Sequence, residues 1–583
     1  MNGAPLRART RTRRASWVGP VATVALLAVL GVGIPVAIAA GSGALDIPRN
    51  DDWAFLGTLF HWSDTGVLDF NDWGGMTLVG QLALGAPLVA LVGHDIAAVS
   101  VLTAVVGLGG LLAVAAMGGR LLQPRWGGAF VAATVAVGPL WMGLAPTFMT
   151  DVPAFAFAMA SLAIGVVALR RDPISVPLIA AALAVGLYGF SIRQYAMVAP
   201  VAVVLAGMWA CVGTADRRRL RALVVLGAGL VIAAGVFLVW HQGLTGVRHL
   251  SPAWPTTGAV ADGFTKNAAF FRLAGLLLVP VVVLAGPVRI VRRAWRAHAM
   301  VTGLVTAVTG TWLAATAIHS PRTAFVGNYL ARDGIGSRQL LSGVRPDLLP
   351  NWCFALLVVG ASVAAVLLVL TAVPWSVHLG ARVRDGRLTP DEPAIAALGL
   401  AAFGYAAANA IAIVVGLIIY DRYALPLLAI IGLLVLRAVP PQVNAARRVT
   451  WLPVAATFGV IALLGLAYAS DSAAFDAARW ELAEEVVATG IPAEAVNGGF
   501  EWVGYHQLRD RDQPDRGQAD RDQPRRDRRF CVALSIRSPG AVAVGVGPNG
   551  AGEVVAGRTY STPLHGPVEI VAVRTGRSCP NAP

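Results

Sequence analysis

Thirteen apolar runs, each close to the ~20 residues needed to cross a hydrocarbon core, follow one another between residues 17 and 469, and a soluble fold has no interior able to bury that many. They lie near 17–40, 97–118, 127–145, 152–169, 174–190, 194–212, 221–240, 268–287, 299–318, 352–374, 394–419, 422–438 and 449–469. Of the 583 residues 56% are hydrophobic and 13% charged, so a water-facing surface could not be built at this length. The chain reads as an all-α polytopic membrane protein with about thirteen transmembrane helices. A further run, TLVGQLALGAPLVALVG (77–93), is short and rich in Gly and Pro, and reads as a re-entrant or interfacial piece.

The formal net charge is +14, carried almost wholly by arginine; Lys266 is the one lysine. Nucleic-acid binding would need that charge on one soluble face, but here it falls in short clusters between apolar runs. With thirteen spans, Arg7, Arg9, Arg11, Arg13, Arg14, Arg120, Arg125, Arg170, Arg171, the clusters 217–221 and 289–296, Arg382, Arg384, Arg387, Arg437, Arg447 and Arg448 all face the cytoplasm. Loops 41–76, 146–151, 241–267, 319–351 and 420–422, and the tail, then face the exterior. The expected setting is the plasma membrane, multi-pass, with a cytoplasmic N-terminus. The lipid bilayer is therefore one partner.

Three regions follow. Residues 1–16 form a disordered basic arm, 17–469 the membrane domain, and 470–583 an extracytoplasmic α/β domain. In the last, AAFDAARWELAEEVVATG (473–490) predicts a helix with Phe475, Leu482 and Val486 on or near one face and Gly490 as its stop. RFCVALSI (529–536), AVAVGVG (541–547) and VEIVAV (568–573) predict short strands. The stretch 509–529 repeats DRDQP at 510–514 and 520–524 with almost no apolar residue, and reads as a flexible loop. Cys531 and Cys579 are a disulfide candidate, because an exterior domain meets oxidising conditions.

Acidic residues mark the chemistry. In LDIPRNDDWAFLGTLFHWSDTGVLDFNDWGG (45–75), Asp51 and Asp52 open an aromatic interfacial helix, and in PTFMTDVPAFAFAMASL (146–162) Asp151 opens an apolar span. Either site could be plain helix capping. On one membrane face together, they could activate an acceptor or hold a divalent cation, with Asp51 and Asp151 as its candidate ligands. Arg193 and Arg422 break the rule that the exterior loops are poor in arginine, and a guanidinium fork suits phosphate oxygens. Trp53, His61, Lys266, Asp421 and Tyr423 are candidate cleft residues.

The acidic pair in the first exterior loop, TDVP before the fourth run and YDRYALPLL (420–428) at a late run resemble, in that order, the GT-C glycosyltransferases. The similarity is to the bacterial branch related to protein O-mannosyltransferases and the lipid A aminoarabinose transferase. It covers most of 41–470 and implies transfer of a sugar from a polyprenyl-phosphate donor to an envelope acceptor (lipid, glycan or protein) on the outer face, with inversion. It further implies that Asp51 is the catalytic base and that Asp151 supports the acceptor or a metal ion. Relatives often have Glu in second place and Tyr three residues on, where this chain has Asp52 and Phe55, which leaves open which acid is the base. A transporter and a noncatalytic lipid-binding scaffold are the competing readings; against the former, the halves show no evident repeat.

Overall fold

The structure is a computed structural model that describes residues 18–249, 255–319, 324–327, 329–336, 340–374, 389, 391–441, 451–507, 530–537, 553–562 and 564–575. The basic arm, the 509–529 loop, the 541–547 segment and Cys579 lie outside the described residues.

Helix covers nearly all of the thirteen apolar runs among the described residues, though not every run gives one helix of full spanning length. Among the described residues nine helices are long and apolar enough to cross a membrane. A tenth run forms Thr257–Leu277 and Val279–Ala285, bent by 60° where Pro280 opens the second piece. The other three give shorter pieces: Gly127–Ala136 with Pro139–Leu144, Val176–Ile192, and Leu425–Ala438. Gly138 and Pro139 interrupt the first of these, and non-helical turns at Arg193 and Tyr420 trim the other two. The 77–93 run is the short helix Val79–Val92. The chain is a multi-pass membrane protein.

Small residues let these helices approach. A Cβ at Gly275 would collide with the backbone of Ala361 and Ala365, so Thr257–Leu277 crosses Asn351–Leu370 nearly backbone to backbone.

The division at residue 470 is not a break in the chain's structure. One helix, Trp451–Ala488, runs 38 residues from an apolar stretch into the C-terminal domain. Its polar half buries Phe475, Leu482 and Val486 as expected, and it ends just before Gly490, whose φ is +96°. A four-stranded sheet covers that half, in the order Val496–Asn497, Val532–Arg537, His565–Arg574, Val554–Thr562. The first pair is parallel and the others antiparallel. Cys531, at the start of the second strand, is fully buried and disulfide-bonded.

Buried charges seat this domain on the first loop. Arg49 pairs with Asp476 at 2.9 Å and donates to Ser472 at 2.8 Å, while Arg479 pairs with Asp476 at 3.3 Å and with Glu501 at 3.0 Å. On the short helix Phe500–Gln507, Phe500 stacks on Trp73 with centroids 5.9 Å apart. Gly504 meets the Trp53 ring so closely that a Cβ there would lie 2.5 Å from it. The domain therefore roofs the segment that carries Asp51.

Candidate active site

Asn50, with φ +54°, turns the chain before helix Asp52–Thr65, and the ~100° between successive helical residues points the two neighbouring acids apart. Asp52 turns inward. It is almost fully buried and accepts from the backbone N–H of Arg49 and, at 3.3 Å, of Phe148. Burial pushes its carboxyl well above the usual carboxylate range, against the opposing pull of the Arg49 contact. Asp52 thus ties the first loop to the 146–151 loop and offers no face to a substrate.

Asp51 occupies the helix N-cap position, yet its side chain makes no capping bond. It accepts from Trp73 Nε1 at 3.0 Å and from Arg422 Nη2 at 2.8 Å. Asp151 likewise opens its helix without capping it. Its Oδ2 accepts from Arg193 Nη1 at 3.0 Å and lies 3.4 Å from Arg422 Nε, while its Oδ1 is buried without a hydrogen-bond partner. Thr150 Oγ1 accepts from the same Arg193 nitrogen at 2.6 Å. The capping alternative therefore fails for both acids: each carboxylate is turned to an arginine.

Tyrosine rings wall in the two arginines. Arg422 lies 4.2 Å from the Tyr420 centroid and 5.6 Å from that of Tyr329; Arg193 lies 4.7 Å from Tyr423 and 5.6 Å from Tyr195. Burial alone would weaken the charge of Arg422, but Asp151 and Asp51 outweigh it and hold its pKa above the ordinary arginine value. Arg193 is raised likewise, with Asp151 outweighing burial. Of the four groups only Asp51 keeps appreciable solvent access, 18% of its side chain, against 0% for Asp151 and 5% or less for the arginines.

The other sequence candidates take different positions. Asp421 is a structural anchor: it is fully buried and accepts from the N–H of Val326 at 2.6 Å and of Tyr329 and Leu330 at 3.0 Å each. Those bonds hold the loop that lays Tyr329 beside Arg422. Trp53 is core, under the Phe500–Gln507 helix. His61 lies on the exposed side of its helix, and Lys266 pairs with Asp262 one turn away, so neither is joined to the acid–arginine cluster. For the candidate cation ligands, Arg422 already stands between Asp51 and Asp151, and no group of three or more His, Cys, Asp or Glu suited to a metal occurs among the described residues. Sequence reading missed Trp73; its signal was the second Asp-Trp pair, Asp72-Trp73, in the same loop as Asp52-Trp53.

Fold and site together define a multi-pass membrane protein with a paired acid–arginine cluster at the starts of apolar helices, roofed by its own C-terminal domain. No protein-family model and no curated protein matches the chain. Among solved structures it is similar to ArnT from Cupriavidus metallidurans, in the apo state (16% identity over 95% of this chain and 98% of that one, TM-score 0.40) and bound to undecaprenyl phosphate (13%, 97% and 100%, TM-score 0.43). It is also similar to the archaeal oligosaccharyltransferase AglB from Archaeoglobus fulgidus, in complex with an inhibitory peptide and a dolichol-phosphate (12% identity over 80% of this chain and 58% of that one, TM-score 0.40).

Proposed function

We propose that the chain is an inverting glycosyltransferase of the plasma membrane that moves a sugar from a polyprenyl-phosphate donor to an envelope acceptor on the outer face, with Asp51 as the base. The observation that carries this is Arg422 joined to both Asp51 and Asp151, with Asp51 alone in the cluster appreciably open to solvent. A sugar phosphate already holds a good leaving group, so the protein needs a base for the acceptor and fixed cations for the departing phosphate. The acceptor oxygen bonds to the anomeric carbon as that carbon's bond to the phosphate oxygen breaks. The electron pair leaves with the polyprenyl phosphate, and the acceptor's proton passes to Asp51.

The ion pairs give the cycle an order. A phosphate arriving at Arg422 competes with Asp51 for the same guanidinium, so donor binding also frees the base. Asp151 keeps its hold on Arg193 and stays near Arg422, which maintains both guanidinium planes for phosphate oxygens. An apolar cavity of about 280 Å³ whose lining includes Phe270, Phe271, Leu368, Ile395, Leu427 and Ile431 could take part of the donor's hydrocarbon, since Leu427 follows Arg422 by five residues.

The test incubates purified protein in membranes with radiolabelled polyprenyl-phosphate sugars. Transfer by wild type and its loss in Asp51→Asn, with donor still bound, supports the reading; undiminished transfer in that variant overturns it.

A further inference from the structure

We infer that helix Pro287–Ala297 is a docking surface for anionic phospholipid headgroups in the leaflet opposite the acid–arginine site. Its sequence, PVRIVRRAWRA, divides at 100° per residue into three sectors. Ile290 and Ala294 are buried against the protein. Val288, Val291 and Trp295 form a second sector that is 41–61% exposed. Arg289, Arg292, Arg293 and Arg296 form the third. A helix packed on one side, apolar on the next and basic on the third lies in the membrane surface, its apolar sector among acyl chains and its cations at headgroup level.

Two connections place it away from the site. The span Ala299–His319 begins just after it and leads, at its other end, toward the loop held by Asp421. Arg289 donates to Pro440 O at 3.1 Å, just past the far end of helix Leu425–Ala438, which starts beside Arg422. Arg289 is thereby a fixed clamp. Arg292, Arg293 and Arg296 are exposed, and among the described residues they enter no ion pair. Three guanidinium groups with no ion-pair partner among the described residues, on one short helix beside exposed Val and Trp, call for a ligand that brings both phosphate and hydrocarbon, which is an anionic lipid.

Full-length protein in detergent would be titrated with dioleoyl phosphatidylglycerol and dioleoyl phosphatidylcholine, which differ only in headgroup, with bound lipid counted by native mass spectrometry. The expected result is preference for phosphatidylglycerol. That preference should fall by about fivefold per arginine removed in Arg292→Gln, Arg293→Gln and Arg296→Gln combined, while the triple Arg→Lys variant keeps it. Equal binding of the two lipids by wild type, or an undiminished preference in the glutamine variant, overturns the inference. So does full displacement of phosphatidylglycerol by soluble glycerol phosphate, which would make this a site for free phosphate.

Discussion

Arg422 holds Asp51 at 2.8 Å and stands 3.4 Å from Asp151, so one guanidinium unites two acids that lie 100 residues apart in the chain. That single positive charge faces both carboxylates at once.

Asp51 and Asp52 should behave as opposites. Asp51→Asn abolishes transfer, a fall of at least a hundredfold, and shifts the melting temperature little. Asp52→Ala strands the buried N–H groups of Arg49 and Phe148 and costs about 1–3 kcal/mol of stability. Thermal unfolding in detergent beside a radiolabel assay separates the two; equal activity losses at equal stability would contradict the division of roles.

Trp73→Phe removes the indole N–H on Asp51 but keeps an aromatic ring against Trp53 and Phe500. A hydrogen bond to a charged group is worth about 1.5–3 kcal/mol, so kcat should drop roughly tenfold or more with donor affinity unchanged. A change confined to KM would show that Trp73 contacts donor instead.

Asp421→Ala leaves three backbone N–H groups without their acceptor and loosens the 324–331 loop. Donor KM should rise several-fold, and proteolysis should cut that loop faster than in wild type. Wild-type values for both would refute an anchoring role.

Because Arg422 already supplies the positive charge between Asp51 and Asp151, transfer should survive excess EDTA. Loss of activity that added Mg²⁺ or Mn²⁺ restores would show that a metal displaces Arg422.

Burial pushes Glu501 up to about 7 from its ordinary 4.5, and Arg479 does not fully offset it. Between those values the folded protein holds a proton that the unfolded chain has released. Stability therefore falls as pH rises from about 4.5 through 7. His565, raised by its hydrogen bond to Asp471, contributes stability that is full at low pH and is lost as pH rises through its folded pKa. Melting temperature should decline from pH 5 to 8, and Glu501→Gln should flatten the Glu501 part alone. An unchanged slope in that variant would refute this assignment.

What was legible in the sequence follows a physical divide. Hydrophobic length and arginine distribution announce a membrane bundle, because the bilayer reads local composition. The order of Asp51, Asp151 and Tyr420-Asp421-Arg422-Tyr423 pointed to residues that the structure brings together, yet no spacing in the chain says which acid faces which arginine. Asp421 read as a cleft residue beside Arg422, and the structure spends its carboxylate on backbone amides instead. Polarity after residue 470 suggested a separate domain, but helical pattern does not change at a water boundary, so Trp451–Ala488 continued across it unseen.

That unbroken helix sets a mechanical limit. At 1.5 Å per residue it is about 57 Å long, and with no turn at the interface the sheet domain has no pivot there about which to swing. Admission of a bulky acceptor beneath it must come from side chains and short loops parting, or from the whole shaft tilting, in which case the bilayer itself would resist opening and thickness of the surrounding lipid would tune turnover.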